Sequence, residues 1–250
     1  METAFYLTSA SLAGLFCFFL SLNYMHMFQL EGYQAKGYLK WLMQYGFGSV
    51  LAVIGMAILY AFAYMIRAVL GEIAGWVLLA VFVALGVLFV CRFRVKDAKK
   101  PLVYTSRVKR MFCCEGILLL FLCYLGYLAG GAILAILVAL APLYLIVANT
   151  INAPIEALVR RHYLNDAKRK LQERPDLIKI GITGSYGKTS TKFILGTILS
   201  EKYSVLVPPS SYNTPMGLTR VIRENLTQEH EVFLAEMGAK HKGDIAELVE

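Results

Sequence analysis

Eight consecutive residues carry the clearest chemistry in this sequence: Thr183, Gly184, Ser185, Tyr186, Gly187, Lys188, Thr189 and Ser190. Glycines at 184 and 187 allow backbone conformations closed to other residues and let amide groups approach anionic oxygens closely. Lys188 supplies a cation for the β- and γ-phosphates of a nucleotide, and the Thr189 hydroxyl is spaced to coordinate Mg²⁺. A β-rich run at 177–182 precedes the loop. A helical pattern with Ile194, Leu195, Ile198 and Leu199 on one side follows it. A helix beginning near Lys188 directs its free N–H groups and positive dipole end at the same anion. Strand, Gly-rich loop, Lys-Thr and helix is the P-loop arrangement, and it implies a nucleotide with Mg²⁺. The spacing is shorter than the general pattern, because Ile182 stands where that pattern has its first glycine.

The elements needed to hold such a loop can be read on either side of it. Residues 203–207 form a β-rich run closed by Pro208 and Pro209, 210–214 a polar loop, and 216–226 a helical pattern with Leu218, Val221, Ile222 and Leu226 inward. A third β-rich run, 231–236, ends at Glu236. Helices alternating with strands predict a mostly parallel sheet with ligands at the carboxyl ends of the strands. Glu236 stands at such an end, where a carboxylate can reach the metal of a nucleotide. Taken alone, a strand-terminal Glu is more often a surface residue or a helix cap.

The rest of the chain is built for another solvent. Of the 250 residues 58% are hydrophobic, and the excess is concentrated in residues 1–150. Runs at 5–27, 47–66, 73–91, 112–128 and 132–148 approach or reach the roughly 20 apolar residues that a membrane helix needs, the last two interrupted by Glu115 and Pro142, so five spans are expected, with four as the alternative. Between the third and fourth runs lie Arg92, Arg94, Lys96, Lys99, Lys100, Arg107, Lys109 and Arg110 against Asp97. By the positive-inside rule that segment is cytoplasmic. Alternation then places the 28–46 loop, with Lys36 and Lys40, and everything after the fifth run inside, and the amino terminus, the 67–72 turn and the turn at Gly130 and Gly131 outside. No basic n-region or cleavage site marks a removable signal peptide. Glu115 is expected to pair with Arg110 at the cytoplasmic end of the fourth span.

A basic segment at 151–174 carries Arg160, Arg161, Lys168, Arg169 and Lys170 among Leu158, Tyr163 and Leu164. It reads as an amphipathic linker helix on the membrane surface, or as a solvated one. The domain expectation is therefore 1–150 transmembrane, 151–174 linker and 175–250 nucleotide-binding α/β. The net charge of +8 is placed for anionic lipid and membrane insertion, so the bilayer and not nucleic acid is the expected partner. Five cysteines, all in or beside apolar runs, argue against a disulfide framework.

Three motifs occur in order: Thr183 to Ser190, then Tyr212, Asn213, Thr214, Pro215, Met216 and Gly217, then Glu236, Met237, Gly238 and Ala239. Together they resemble the central domain of the Mur ligases. The branch most similar joins UDP-N-acetylmuramoyl-tripeptide to D-alanyl-D-alanine, and in particular its membrane-spanning relatives in some Gram-positive bacteria. The resemblance implies an ATP-dependent ligase of peptidoglycan precursor synthesis in a bacterial cell membrane. There ATP converts a carboxylate to an acyl phosphate, and an amine attacks it to form an amide. It assigns Gly184, Ser185, Tyr186, Gly187, Lys188, Thr189 and Ser190 to the nucleotide, and Thr189 and Glu236 to Mg²⁺. Lys188, Glu236 and Asn213 take the catalytic roles.

Two departures shape the expectation. Membrane spans stand where the family has a soluble UDP-sugar-binding domain, so the carboxylate substrate is either a UDP-MurNAc-peptide or a lipid-linked precursor, with an amino acid or dipeptide as amine. The sequence stops in a helix after the third strand, so the 250 residues alone are expected to be incomplete as a ligase. His241 reads as a surface residue between Lys240 and Lys242. The rival class is a membrane-coupled P-loop ATPase or kinase, but neither a Leu-Ser-Gly-Gly signature nor an aspartate-ended metal strand is found.

Overall fold

Long apolar sequence folds into long helices in the first of two units. The computed structural model describes residues 2–93, 101–129, 131, 133–209, 212–239 and 242–249, and divides into Met1–Pro154 and Ile155–Glu250. The first unit comprises α1 (Glu2–Leu30), α2 (Ala35–Gln44), α3 (Phe47–Leu70), α4 (Glu72–Arg92), α5 (Ser106–Leu128), α6 (Leu134–Ala139) and the start of α7 (Tyr144–Gln172). Five helical stretches among the described residues are long and apolar enough to cross a membrane: Thr3–Leu30, Phe47–Leu70, Glu72–Arg92, Ser106–Leu128 and Ala141–Gln172.

The surface of this unit is apolar as well as its core. Ile58 is 64% exposed, Leu120 74% and Ile73 82%, while Tyr24, Tyr38, Tyr60 and Phe82 are buried. Exposed apolar area on this scale marks a surface that meets an apolar partner or solvent. Helices approach closely where side chains are small, the usual way membrane helices pack. A Cβ at Gly14 would lie 2.7 Å from Cys123 Sγ, and one at Gly86 3.0 Å from Phe16 Cδ2. Gly71, with φ +93°, ends α3 and begins α4 in a single residue.

Four local features differ from the sequence expectation. The 28–46 segment contains α2, whose Tyr38 and Leu42 are buried four residues apart. The fifth run is broken: α6 ends before a 3-10 turn at Ala141–Leu143, where Pro142 removes a backbone donor. The carbonyls freed there must be satisfied inside the unit. Tyr38 donates to the Pro142 carbonyl at 2.7 Å, and Tyr144 donates to that of Leu137. Glu115 is fully buried and accepts a hydrogen bond from Ser21 Oγ at 2.8 Å. Past the break α7 runs on without interruption through Pro154, where a separate linker helix was expected. The expectations for Arg94, Lys96, Asp97, Lys99, Lys100 and Gly130 fall outside the described residues.

The second unit has a parallel sheet of β1 (Ile178–Ile182), β2 (Val205–Leu206) and β3 (Val232–Glu236) in the order β1-β3-β2. Its helices α8 (Lys188–Ser200), α9 (Pro215–Asn225) and α10 (Asp244–Val249) alternate with the strands. All five residues of the central strand β3 are buried, as a near-continuous apolar run in a parallel sheet requires. Leu177, Leu206, Leu218, Val221, Ile222 and Phe233 form much of the core. Arg174, 7% exposed, donates to the carbonyls of Thr227 and His230, which ties the entry of β1 to the approach to β3. Ile178 pairs with Val232 and Ile182 with Glu236, so β1 and β3 end level at one edge.

Candidate functional site

The level ends of β1 and β3 bring the Gly-rich loop beside Glu236. Leaving β1, the chain turns through Gly184 at φ +151° and Gly187 at φ +75°, and α8 starts at Lys188 with Gly187 as its cap. No side chain caps that helix end, so its amides face the cleft. This cleft of about 430 Å³ is lined by Ser185, Tyr186, Gly187, Lys188, Thr189 and Ser190 of the loop and helix, with Asn213 and Glu236 from the other two motifs.

Glu236 is the centre of the polar network. It is 1% exposed, and its two carboxylate oxygens are engaged separately. Oε2 accepts from Thr189 Oγ1 at 3.0 Å, and Oε1 from Asn213 Nδ2 at 3.4 Å. Asn213 is fixed by its own backbone: its carbonyl accepts from the Gly238 amide at 2.9 Å, while the Met237 amide donates to the Ile182 carbonyl at 2.8 Å. A Cβ at Gly238 would lie 3.0 Å from that Asn213 carbonyl oxygen, so the two segments cross with little room for a larger side chain. Downstream, Thr214 caps α9 by accepting from the Gly217 amide at 3.2 Å, with Pro215 at the first helical position.

The structure thus brings Thr189, Asn213 and Glu236 into contact and sets Lys188 beside them. The Lys188 ammonium folds back to donate to the Gly184 carbonyl, across the mouth of its own loop. Tyr186 is 95% exposed at the rim. His241 lies outside the described residues.

One residue of the network was not found in the sequence. Lys192, fully buried, has its ammonium 3.7 Å from Glu236 Oε2 and 4.6 Å from the centre of the Phe193 ring. Its signal was a lysine within an apolar helical pattern, three residues after Thr189 and so on the same face.

The donor set fits a nucleotide with a hard divalent cation. One hydroxyl and one carboxylate, of Thr189 and Glu236, are oxygen ligands of the kind Mg²⁺ takes, usually completed by phosphate and water. Among the described residues no group of three or more His, Cys, Asp or Glu converges.

Residues 182–250 match the family described as Mur ligase middle domain. The chain is also similar to curated UDP-N-acetylmuramoyl-tripeptide–D-alanyl-D-alanine ligases. It is 38% identical over 76 residues to that of Treponema pallidum, covering 30% of this chain and 16% of the relative. To that of Mycobacterium tuberculosis strain H37Rv it is 41% identical over 71 residues, 28% of this chain and 14% of the relative. For Escherichia coli K12 the values are 36% over 67 residues, 27% and 15%. The chain therefore spans about a sixth or less of the length of these relatives. No solved structure matches it. The resemblance to the Mur ligases holds for the segment that carries the three motifs.

Proposed function

We propose that this chain carries the membrane anchor and the phosphate-binding corner of an ATP-dependent ligase of peptidoglycan precursor synthesis. The observation that carries the reading is the convergence of Thr189, Asn213 and Glu236 beside the loop that ends in Lys188. Each of these residues comes from a different one of the three motifs that resemble the Mur ligases.

In this reading MgATP supplies the phosphoryl group that activates a substrate carboxylate as its acyl phosphate, ready for attack by an amine. The chain's own residues bind and neutralise. The loop amides and the open end of α8 take the phosphate oxygens. Lys188 leaves the Gly184 carbonyl for the phosphates, and its charge opposes the negative charge of the transferring group. Thr189 and Glu236 hold the cation, and Asn213 fixes the second carboxylate oxygen so that the first stays aimed at Thr189. Ser185, Tyr186 and Ser190 complete the wall around the phosphates.

The five long apolar helices cross a bacterial cell membrane, with the amino terminus outside and the nucleotide site in the cytoplasm. The carboxylate substrate is a UDP-MurNAc-peptide or its lipid-linked counterpart, and the amine an amino acid or dipeptide such as D-alanyl-D-alanine. The test is phosphate release from ATP by the protein in detergent, with UDP-MurNAc-tripeptide or the lipid-linked equivalent and D-alanyl-D-alanine. Release that requires both substrates, yields a new amide by mass spectrometry and disappears in Lys188→Ala supports the ligase. Hydrolysis indifferent to both substrates replaces it with a membrane-coupled ATPase.

A further inference from the structure

Lys192 has no part in the reading above, yet it is fully buried against the residue at the centre of the site. A buried ammonium is costly without a counter-charge, and so is a buried carboxylate. The two meet here: Lys192 Nζ lies 3.7 Å from Glu236 Oε2, and the side chains are 0% and 2% exposed. The same oxygen accepts from Thr189 at 3.0 Å. Glu236 Oε2 therefore faces a hydroxyl on one side and a fixed positive charge on the other. Lys188, the other cation of the loop, is engaged with the Gly184 carbonyl.

We propose that Lys192 is a positioning residue that serves as the resident counter-cation of Glu236. It keeps the carboxylate buried and aimed while no divalent cation is bound. Its charge also weakens the hold of Glu236 on a bare cation, so that the metal enters with the nucleotide and not ahead of it. ATP brings negative charge that offsets Lys192, whereas a free divalent ion meets it unshielded. The inference rests on the reading of this cleft as a metal–nucleotide site.

The test is Mn²⁺ binding by the full chain in detergent, followed by electron paramagnetic resonance, with and without ATP. In wild-type protein Mn²⁺ binds weakly alone and more tightly with ATP. Removing a unit charge within a few ångströms of the ligand oxygen strengthens binding of Mn²⁺ alone by about tenfold in Lys192→Met, with a smaller change for Mn²⁺ with ATP. Lys192→Arg keeps the charge and behaves as wild type. Glu236→Gln combined with Lys192→Met loses the gain. An affinity for Mn²⁺ alone that is unchanged or weaker in Lys192→Met overturns the proposal.

Lys192→Gln serves as a second variant should the methionine protein not fold, with the same gain expected. If both fail to fold while Lys192→Met with Glu236→Gln folds, Lys192 is the charge partner that keeps Glu236 buried, as proposed; if that double variant also fails to fold, the lysine serves packing only and the proposal falls. Absence of Mn²⁺–ATP binding in the wild type would instead remove the metal–nucleotide reading itself. Binding there with no effect of Lys192→Met would remove the inference alone.

Discussion

Thr189→Val removes one hydroxyl and nearly preserves side-chain shape, so it isolates the shortest hydrogen bond to Glu236. Glu236 is 1% exposed, and its other partners are more distant: Asn213 at 3.4 Å and the Lys192 ammonium at 3.7 Å, against 3.0 Å for Thr189. Little solvent reaches so buried an oxygen to replace the lost donor. A hydrogen bond to a charged group contributes about 1.5–3 kcal/mol, so α8 should separate from β3 roughly ten- to 150-fold more readily. The assay is amide hydrogen exchange by mass spectrometry on peptides covering β3, in detergent and without nucleotide, where exchange reports the opening equilibrium. Faster exchange of β3 by that factor is expected in Thr189→Val, with wild-type exchange in Thr189→Ser, which keeps the hydroxyl. Exchange of β3 within twofold of wild type in Thr189→Val would refute the role assigned to this hydrogen bond. Because no ligand is present, the result is independent of what the cleft binds.

Two further outcomes follow from charge placement. Arg174, through hydrogen bonds and its charge, holds the Asp176 carboxyl below its ordinary range. A depressed folded value means that its contribution to stability is present above the unfolded value of about 3.9 and fades as pH falls through the folded one, so Asp176→Asn should flatten the acid limb of a thermal-midpoint-against-pH curve in that window. In a background with the five native cysteines replaced, a cysteine at Gly130 should react with an impermeant reagent added to intact cells; labelling only after lysis would invert the orientation inferred from the basic 92–110 segment.

The broad architecture was legible because it depends on solvent preference over long stretches. Runs of apolar residues long enough to span a bilayer cannot be hidden by local detail, and the first four helical stretches appear at the expected places, while the fifth is Ala141–Gln172 where 132–148 was expected. What the sequence concealed were short features decided by tertiary contact. α2 contains Lys36 and Lys40 and reads as a polar loop, but Tyr38 and Leu42 on its other face are buried. Pro142 announced a disturbance without its form, since whether the helix kinks or stops depends on what caps the freed carbonyls, and Tyr38 comes from a distant segment to do so. Pro154 gave the opposite outcome: α7 passes through it, although the sequence reading began a separate helix there.

The candidate site was legible in its parts, and the sheet register explains how they meet. Thr189 and Glu236 are 47 positions apart in sequence, yet parallel pairing of β1 with β3 makes Ile182 and Glu236 partners and so sets the loop after one strand beside the last residue of the other. Any carboxylate one residue earlier on β3 would point to the opposite face of the sheet, which gives the terminal position of Glu236 a geometric meaning that composition does not. Lys192 escaped for the converse reason. In a helical pattern a lysine is assigned to solvent by default, because a buried ammonium is rare without a partner. Here the partner lies on a strand more than a helix length away in sequence, and only the fold brings the two charges together. A lysine on the same helical face as the residues of a phosphate-type loop is therefore better read as part of that site until its burial has been measured.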